Sequence, residues 1–247
     1  MPLEKAHALV LRTSAFRETS CVVTLWTREF GKVRALAKGG RRLRSRFQSA
    51  LDVLHLCDIV LIRKTSAQLD LLTEAHLVDR FNVLRQSLQA YYAACFILEI
   101  LCACAQENDP HPQWFDTTIR TLRQLQPPHL LRTLLSWEII ALRELGMHPM
   151  LDQCVQCKKL LEVSSSSQPI TWNALAGGVL CARCAMARSG QRTLQPELWH
   201  AWRCIAKQQD FEFPEATCQH LIDLLHDYWS HRLEQPLRLA SYLSTAS

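Results

Sequence analysis

The spacing of apolar residues changes once along this chain, near Phe81, and that change limits the folds open to it. Before Phe81 the apolar runs are short and rich in β-branched residues, as in A-L-V-L at 8–11 and C-V-V-T-L-W at 21–26. Further strands are predicted at 32–37, 58–63 and 69–75. Gly31, Gly39 and Gly40 punctuate turns between them. Five short strands in fewer than 80 residues predict a small closed barrel of OB-fold size.

After Phe81 the period is helical. Residues 83–106 and 130–145 are strong helices, the second introduced by Pro127-Pro128 and stopped by Gly146 and Pro149. A third is predicted at 111–125, and helices resume at 196–206 and 214–233. Residues 151–190 lose periodicity and contain the serine run 164–167, so they read as an irregular insertion tied by a ligand. The expectation is an α+β chain: a five-stranded OB-fold barrel in residues 1–80, then an all-helical domain in 81–247 carrying the 151–190 insertion.

That insertion is framed by cysteines. Cys154 and Cys157 form one C-x-x-C pair and Cys181 and Cys184 a second, with 23 residues between the pairs. Two such pairs can complete a tetrahedron around one ion, and zinc is the expected metal. Four thiolates leave no open coordination position, so the ion would be structural. Gly177 and Gly178 before the second pair suit a tight turn. The remaining seven of the 11 cysteines lie in apolar patterns and read as buried free thiols. An odd count and no secretory leader favour a reducing compartment, so a cytoplasmic protein is expected. The most apolar stretch, 88–105, contains Gln89 and Glu99 and suits a buried helix better than a membrane span.

Charge is concentrated too. Eight of the 28 Lys and Arg residues fall in residues 28–46: Arg28, Lys32, Arg34, Lys38, Arg41, Arg42, Arg44 and Arg46, with Glu29 the only acid. Residues 1–80 carry a balance of +6, whereas 81–247 carry −1. Such a density favours a polyanion, and arginine suits phosphate; the competing reading is a solvated basic face. Phe16, Trp26, Phe30 and Phe47 could stack on bases or fill the barrel. Trp199 and Trp202 share a helical face, as do Leu221, Leu225 and Tyr228/Trp229; these stripes read as core, or as a groove flanked by Arg203 and Lys207 for a partner peptide. The chain has no P-loop, G-x-S-x-G or H-E-x-x-H, so no enzyme is expected.

The block A-L-V-L-R-T-S-A-F-R-E-T-S-C-V-V-T-L-W-T-R-E-F-G-K, followed by A-K-G-G-R-R-L-R-S-R-F, resembles the N-terminal domain of the bacterial DNA repair and recombination mediator family RecO. D-L-L-T-E-A at 70–75, L-G-M-H-P-M-L-D-Q-C-V-Q-C at 145–157 and G-G-V-L-C-A-R-C at 177–184 continue the likeness. The resemblance implies an OB-fold, a helical domain with a zinc knuckle, and binding and annealing of single- and double-stranded DNA. It also implies contact with the acidic tail of the single-stranded DNA-binding protein (SSB). Loading of RecA with RecR, often with RecF, and association with the nucleoid follow as well. The basic block carries the implied DNA contact. The sequence departs from the family at Lys158, where glycine is frequent, so the turn of the first knuckle is expected to differ. An RNA-binding OB/zinc protein is the main competing class, and a zinc hydrolase a third.

Overall fold

The structure is a computed structural model describing residues 3–42, 45, 47, 50–63, 69–161, 170–186, 191–207 and 213–244. Arg44, Arg46 and the serine run lie outside the described residues. The chain forms two compact units, residues 1–127 and 128–247.

In the first unit, β1 (Leu3–Phe16), β2 (Ser20–Thr27), β3 (Gly31–Ala37), β4 (Leu56–Ile62) and β5 (Asp70–Asp79) close a barrel in the order β1-β2-β3-β5-β4. Neighbours are antiparallel except β3 and β5, which run parallel. The alternation of the sequence decides which side chains enter: Val33, Ala35 and Ala37 of β3 are buried, while Lys32, Arg34 and Leu36 face outward. The interior is narrow and is filled by small residues, including Ala6, Ala8, Ala35 and Ala37, with Val23, Leu25 and Ile59. This is the five-stranded OB-fold barrel expected from the strand count.

Strand β1 outruns its partner. β4 pairs with it only from Leu3 to Leu9, whereas β2 follows it, past a bulge between Val10 and Arg12, as far as Phe16. Residues 12–19 are all exposed, so the β1–β2 hairpin carries its last turn into solvent.

A 3-10 turn (Asn82–Arg85) leads into α1 (Leu88–Cys104), whose first turn is capped by the Ser87 side chain accepting from the Ala90 amide at 3.4 Å. α2 (Pro112–Gln124) follows. Trp26, on the outer face of β2, is fully buried because Trp114 and Phe115 of α2 meet it at ring-centroid distances of 4.9 and 5.2 Å. The barrel thus has an apolar outer patch that α1 and α2 cover, and all three belong to one compact unit.

The second unit contains α3 (Leu130–Glu144), β6 (Ile170–Asn173), β7 (Gly178–Leu180), α4 (Ala182–Ala185), β8 (Arg192–Leu194), α5 (Pro196–Ala206), α6 (Glu215–Leu233) and α7 (Ala240–Ser244). Its three short strands form an antiparallel sheet in the order β7-β6-β8. The sequence shows no period there because strands of three or four residues are too short to establish one. Trp137, Trp172, Trp199, Trp202 and Trp229 are all fully buried, so the aromatic stripes are core. The tryptophans do not line a groove: the Trp199 indole donates to the Leu151 carbonyl at 3.0 Å, and Arg203 lies over that indole while pairing with Asp152 at 2.6 Å. The cavity of about 390 Å³ beside Arg203 and Lys207 is lined instead by Arg143, His148, Met150 and Leu160. Among the described residues no helix is long and apolar enough to cross a membrane.

Candidate nucleic-acid interface and metal centre

The fold divides the basic window into an inward and an outward set. Arg28 makes a bidentate pair with Asp116 of α2, at 2.8 and 2.9 Å, and holds that carboxyl below its ordinary range. Lys32 donates to the Cys102 carbonyl at 3.0 Å, satisfying an end of α1. These two cations serve the seam between barrel and helices. Arg34, Lys38, Arg41 and Arg42 are exposed.

Strand register then brings in residues the window did not contain. Arg12 of β1 is aligned with Thr24 of β2, and Thr24 with Arg34 of β3, so two arginines flank one row of the outer face. The next row toward the hairpin tip is Ser14, Val22 and Leu36, and the last begins with Phe16 opposite Ser20. Rows are about 6.6 Å apart, two residues along a strand. Two loops crown this face. The Arg41 amide donates to the Thr19 carbonyl at 2.9 Å and its guanidinium to the Arg17 carbonyl at 3.2 Å, fastening the loop after β3 to the β1–β2 turn. Gly40 allows that closeness: a Cβ there would stand 2.8 Å from Cys21 Sγ.

Arg12 and Arg17 were not among the sequence candidates. The only sequence signal for them is the short turn between two strands, and it places nothing until register is known. Of the aromatic candidates, Trp26 and Phe47 are buried, and Phe30 is half-buried under the Arg63 guanidinium, 4.9 Å from its ring centroid. Phe16 alone of the four is exposed, at 37%.

In the second unit the four cysteines converge. The Sγ atoms of Cys154, Cys157, Cys181 and Cys184 all lie within 4.8 Å of one another, and Cys157 and Cys181 are 3.8 Å apart. Metal–sulfur bonds of about 2.3 Å give a tetrahedron with edges of about 3.8 Å, so these residues can hold one metal ion. Cys154 sits in a turn tied by its amide to the Lys159 carbonyl and by the Val155 amide to the Val179 carbonyl of β7, both at 2.9 Å. Cys181 follows β7 directly and opens α4, and Cys184 donates its amide back to the Cys181 carbonyl at 3.0 Å. The two halves meet where Gly178, at φ 158°, passes the Met150 carbonyl so closely that a Cβ would overlap it. Lys158, after the first pair, lies in the left-handed region at φ 61°, a conformation natural to glycine.

The thiols divide their protons unequally. Burial alone would raise Cys154, but backbone hydrogen bonds from Cys157, Cys181 and Gln156 outweigh it and bring the thiol down to about 6. Hydrogen bonding to the Cys181 thiol, with burial and the other two sulfurs, pushes Cys184 up to about 12. Four thiols in this space cannot all ionise unless a cation joins them.

Against known proteins, the family description "Recombination protein O N terminal" matches residues 1–81, and "Recombination protein O C terminal" matches residues 85–240. The chain belongs to the recombination protein O family. Similar relatives include a DNA repair protein RecO from Rhodopirellula baltica, 36% identical over 211 residues that cover 85% of this chain and 77% of the relative. Others come from Anaeromyxobacter dehalogenans strain 2CP-1, 33% identical over 75% of this chain and 72% of the relative, and from Syntrophus aciditrophicus, 29% identical over 73% and 69%. Membership supports a role in DNA repair and recombination. The two family descriptions adjoin at 81–85, inside the first compact unit.

Proposed function

We propose that this member of the RecO family is a non-enzymatic recombination mediator that binds single- and double-stranded DNA on the outer face of β1, β2 and β3. The observation that carries the reading is the row of Arg12, Thr24 and Arg34, crowned by Arg17, Lys38, Arg41 and Arg42. Arginines on a sheet face can neutralise phosphates without reading base edges, which leaves bases able to pair with a second strand. That is the physical requirement for annealing. Neutralisation of about five phosphates would weaken single-strand binding roughly a hundredfold between 50 and 200 mM salt.

Arg44 and Arg46 belong to the proposed contact by sequence, and Arg28 and Lys32 would serve it by holding the helices against the barrel. The ion held by the four cysteines is proposed to be a single structural Zn2+, fixing β7 and α4 to the loop of the first pair. The proposal extends to RecR and the acidic SSB tail as partners and to RecA, with RecF, as the beneficiary in the cytoplasm and nucleoid.

The test reverses Arg34, Arg41 and Arg42 to Glu together. Annealing of complementary strands and single-strand affinity should fall by at least a hundredfold while thermal unfolding is unchanged. Annealing retained by a folded triple variant would remove this face from the account. Preference for RNA over DNA of equal length would count against repair.

A further inference from the structure

We propose that Phe16, at the tip of the β1–β2 hairpin, is a stacking platform for one unpaired base, so that this face binds a single strand more tightly than its phosphates alone would allow. The proposal rests on the DNA-binding reading above and goes beyond it, because a row of arginines distinguishes a single strand from a duplex poorly.

A phenylalanine in water is unfavourable unless something covers it, and most aromatic rings in this unit are covered. Phe16 is the final residue of β1, on the same outward face as Arg12 and Ser14. Its backbone is held by pairing with Ser20, and the turn beyond it is fastened by Arg41 to the carbonyls of Arg17 and Thr19. The ring is therefore displayed on a fixed support.

The Arg17 guanidinium lies over this ring, 5.5 Å from its centroid. With Arg17 on one face and 37% of the residue exposed, the proposed base would lie on the face away from the guanidinium. Arg17 itself takes a left-handed conformation, φ 55°, in the turn between β1 and β2, as hairpin turns commonly require. Ser14, Val22 and Leu36 form the neighbouring row, a smooth floor between Phe16 and the Arg12–Arg34 row. A strand crossing the rows would set its phosphates among the arginines and lay one base on Phe16.

The ligand class follows from the chemistry. Any base has a π-face, so the platform is indifferent to sequence. A base inside a duplex has neighbours on both faces and cannot reach an external ring without unstacking. Duplex DNA should therefore engage the arginines alone.

The test compares wild-type protein with Phe16→Ala, Phe16→Leu and Phe16→Trp on three probes: an oligothymidylate, an abasic strand with the same number of phosphates, and a duplex. Wild type should bind the base-bearing strand about tenfold more tightly than the abasic strand, with a range of roughly five- to a hundredfold. Phe16→Ala and Phe16→Leu should bind the two strands equally and keep wild-type affinity for the duplex, while Phe16→Trp restores the difference. Leucine keeps an apolar side chain without the π-face, so loss in both variants isolates stacking from burial. Equal binding of both strands by wild type, or a preference surviving in Phe16→Ala, overturns the platform and leaves the arginine face standing. If wild type binds none of the probes, the DNA-binding reading itself falls.

Discussion

Two residues of the second unit show how a single position can oppose the fold around it. Lys158 stands at φ 61°, where a side chain costs about 1 kcal/mol or more and glycine almost nothing. Replacing Lys158 with Gly should stabilise the chain by up to about 1 kcal/mol, read from denaturant unfolding of the metal-loaded protein. Glu138 has no exposed surface; one oxygen accepts from the Trp229 indole at 3.0 Å, and the other has no hydrogen-bond partner among the described residues. Burial raises its pKa well above the ordinary 4.5, so the folded chain keeps a proton that the unfolded chain releases. The resulting penalty is absent below pH 4.5 and grows as pH rises above it. Glu138→Gln should accordingly be more stable than wild type at pH 8 and close to it at pH 4, measured by urea unfolding at both. Neither feature is legible in the sequence. L-L-S-W-E-I-I shows a glutamate within an apolar helix but not its burial, and C-V-Q-C-K shows a knuckle but not its dihedral angles.

At the level of elements, strands and helices were readable wherever a period had room to repeat. β2, β3, α3, α5 and α6 lie close to their expected bounds because each holds several turns or alternations of apolar residues. β6, β7 and β8 escaped because they are too short for that. The four metal-site cysteines were legible because their spacing is local chemistry. The proposed DNA face was legible only in part: charge density marked Arg34, Lys38, Arg41 and Arg42, but only register could set Arg12 across from Arg34. Element packing also ranks the contacts that hold α2. Its ion pair with Arg28 is half-exposed, whereas Trp114 is fully buried against Trp26. Trp114→Ala should cost about 3–5 kcal/mol, and Asp116→Asn less than about 1 kcal/mol, in chemical denaturation.

Across the whole molecule, the proposed nucleic-acid face and the cysteine cluster lie in different compact units. Metal removal by a strong chelator should lower the thermal transition of residues 128–247, because ligation energy is folding energy. The first unit should then keep its affinity for oligothymidylate, measured below that transition. A fall in affinity matching the loss of metal would show that the ion supports the proposed DNA face. The seam inside the first unit has a practical consequence. Lys32 bonds to α1, Arg28 to α2, and Trp26 is sealed by Trp114 and Phe115, so the barrel is finished by residues that follow it in sequence. A fragment ended at residue 81, where the N-terminal family description ends, would strip the lid from a tryptophan and invite self-association. A biochemist wishing to isolate the unit that carries the proposed DNA face should cut after Pro127.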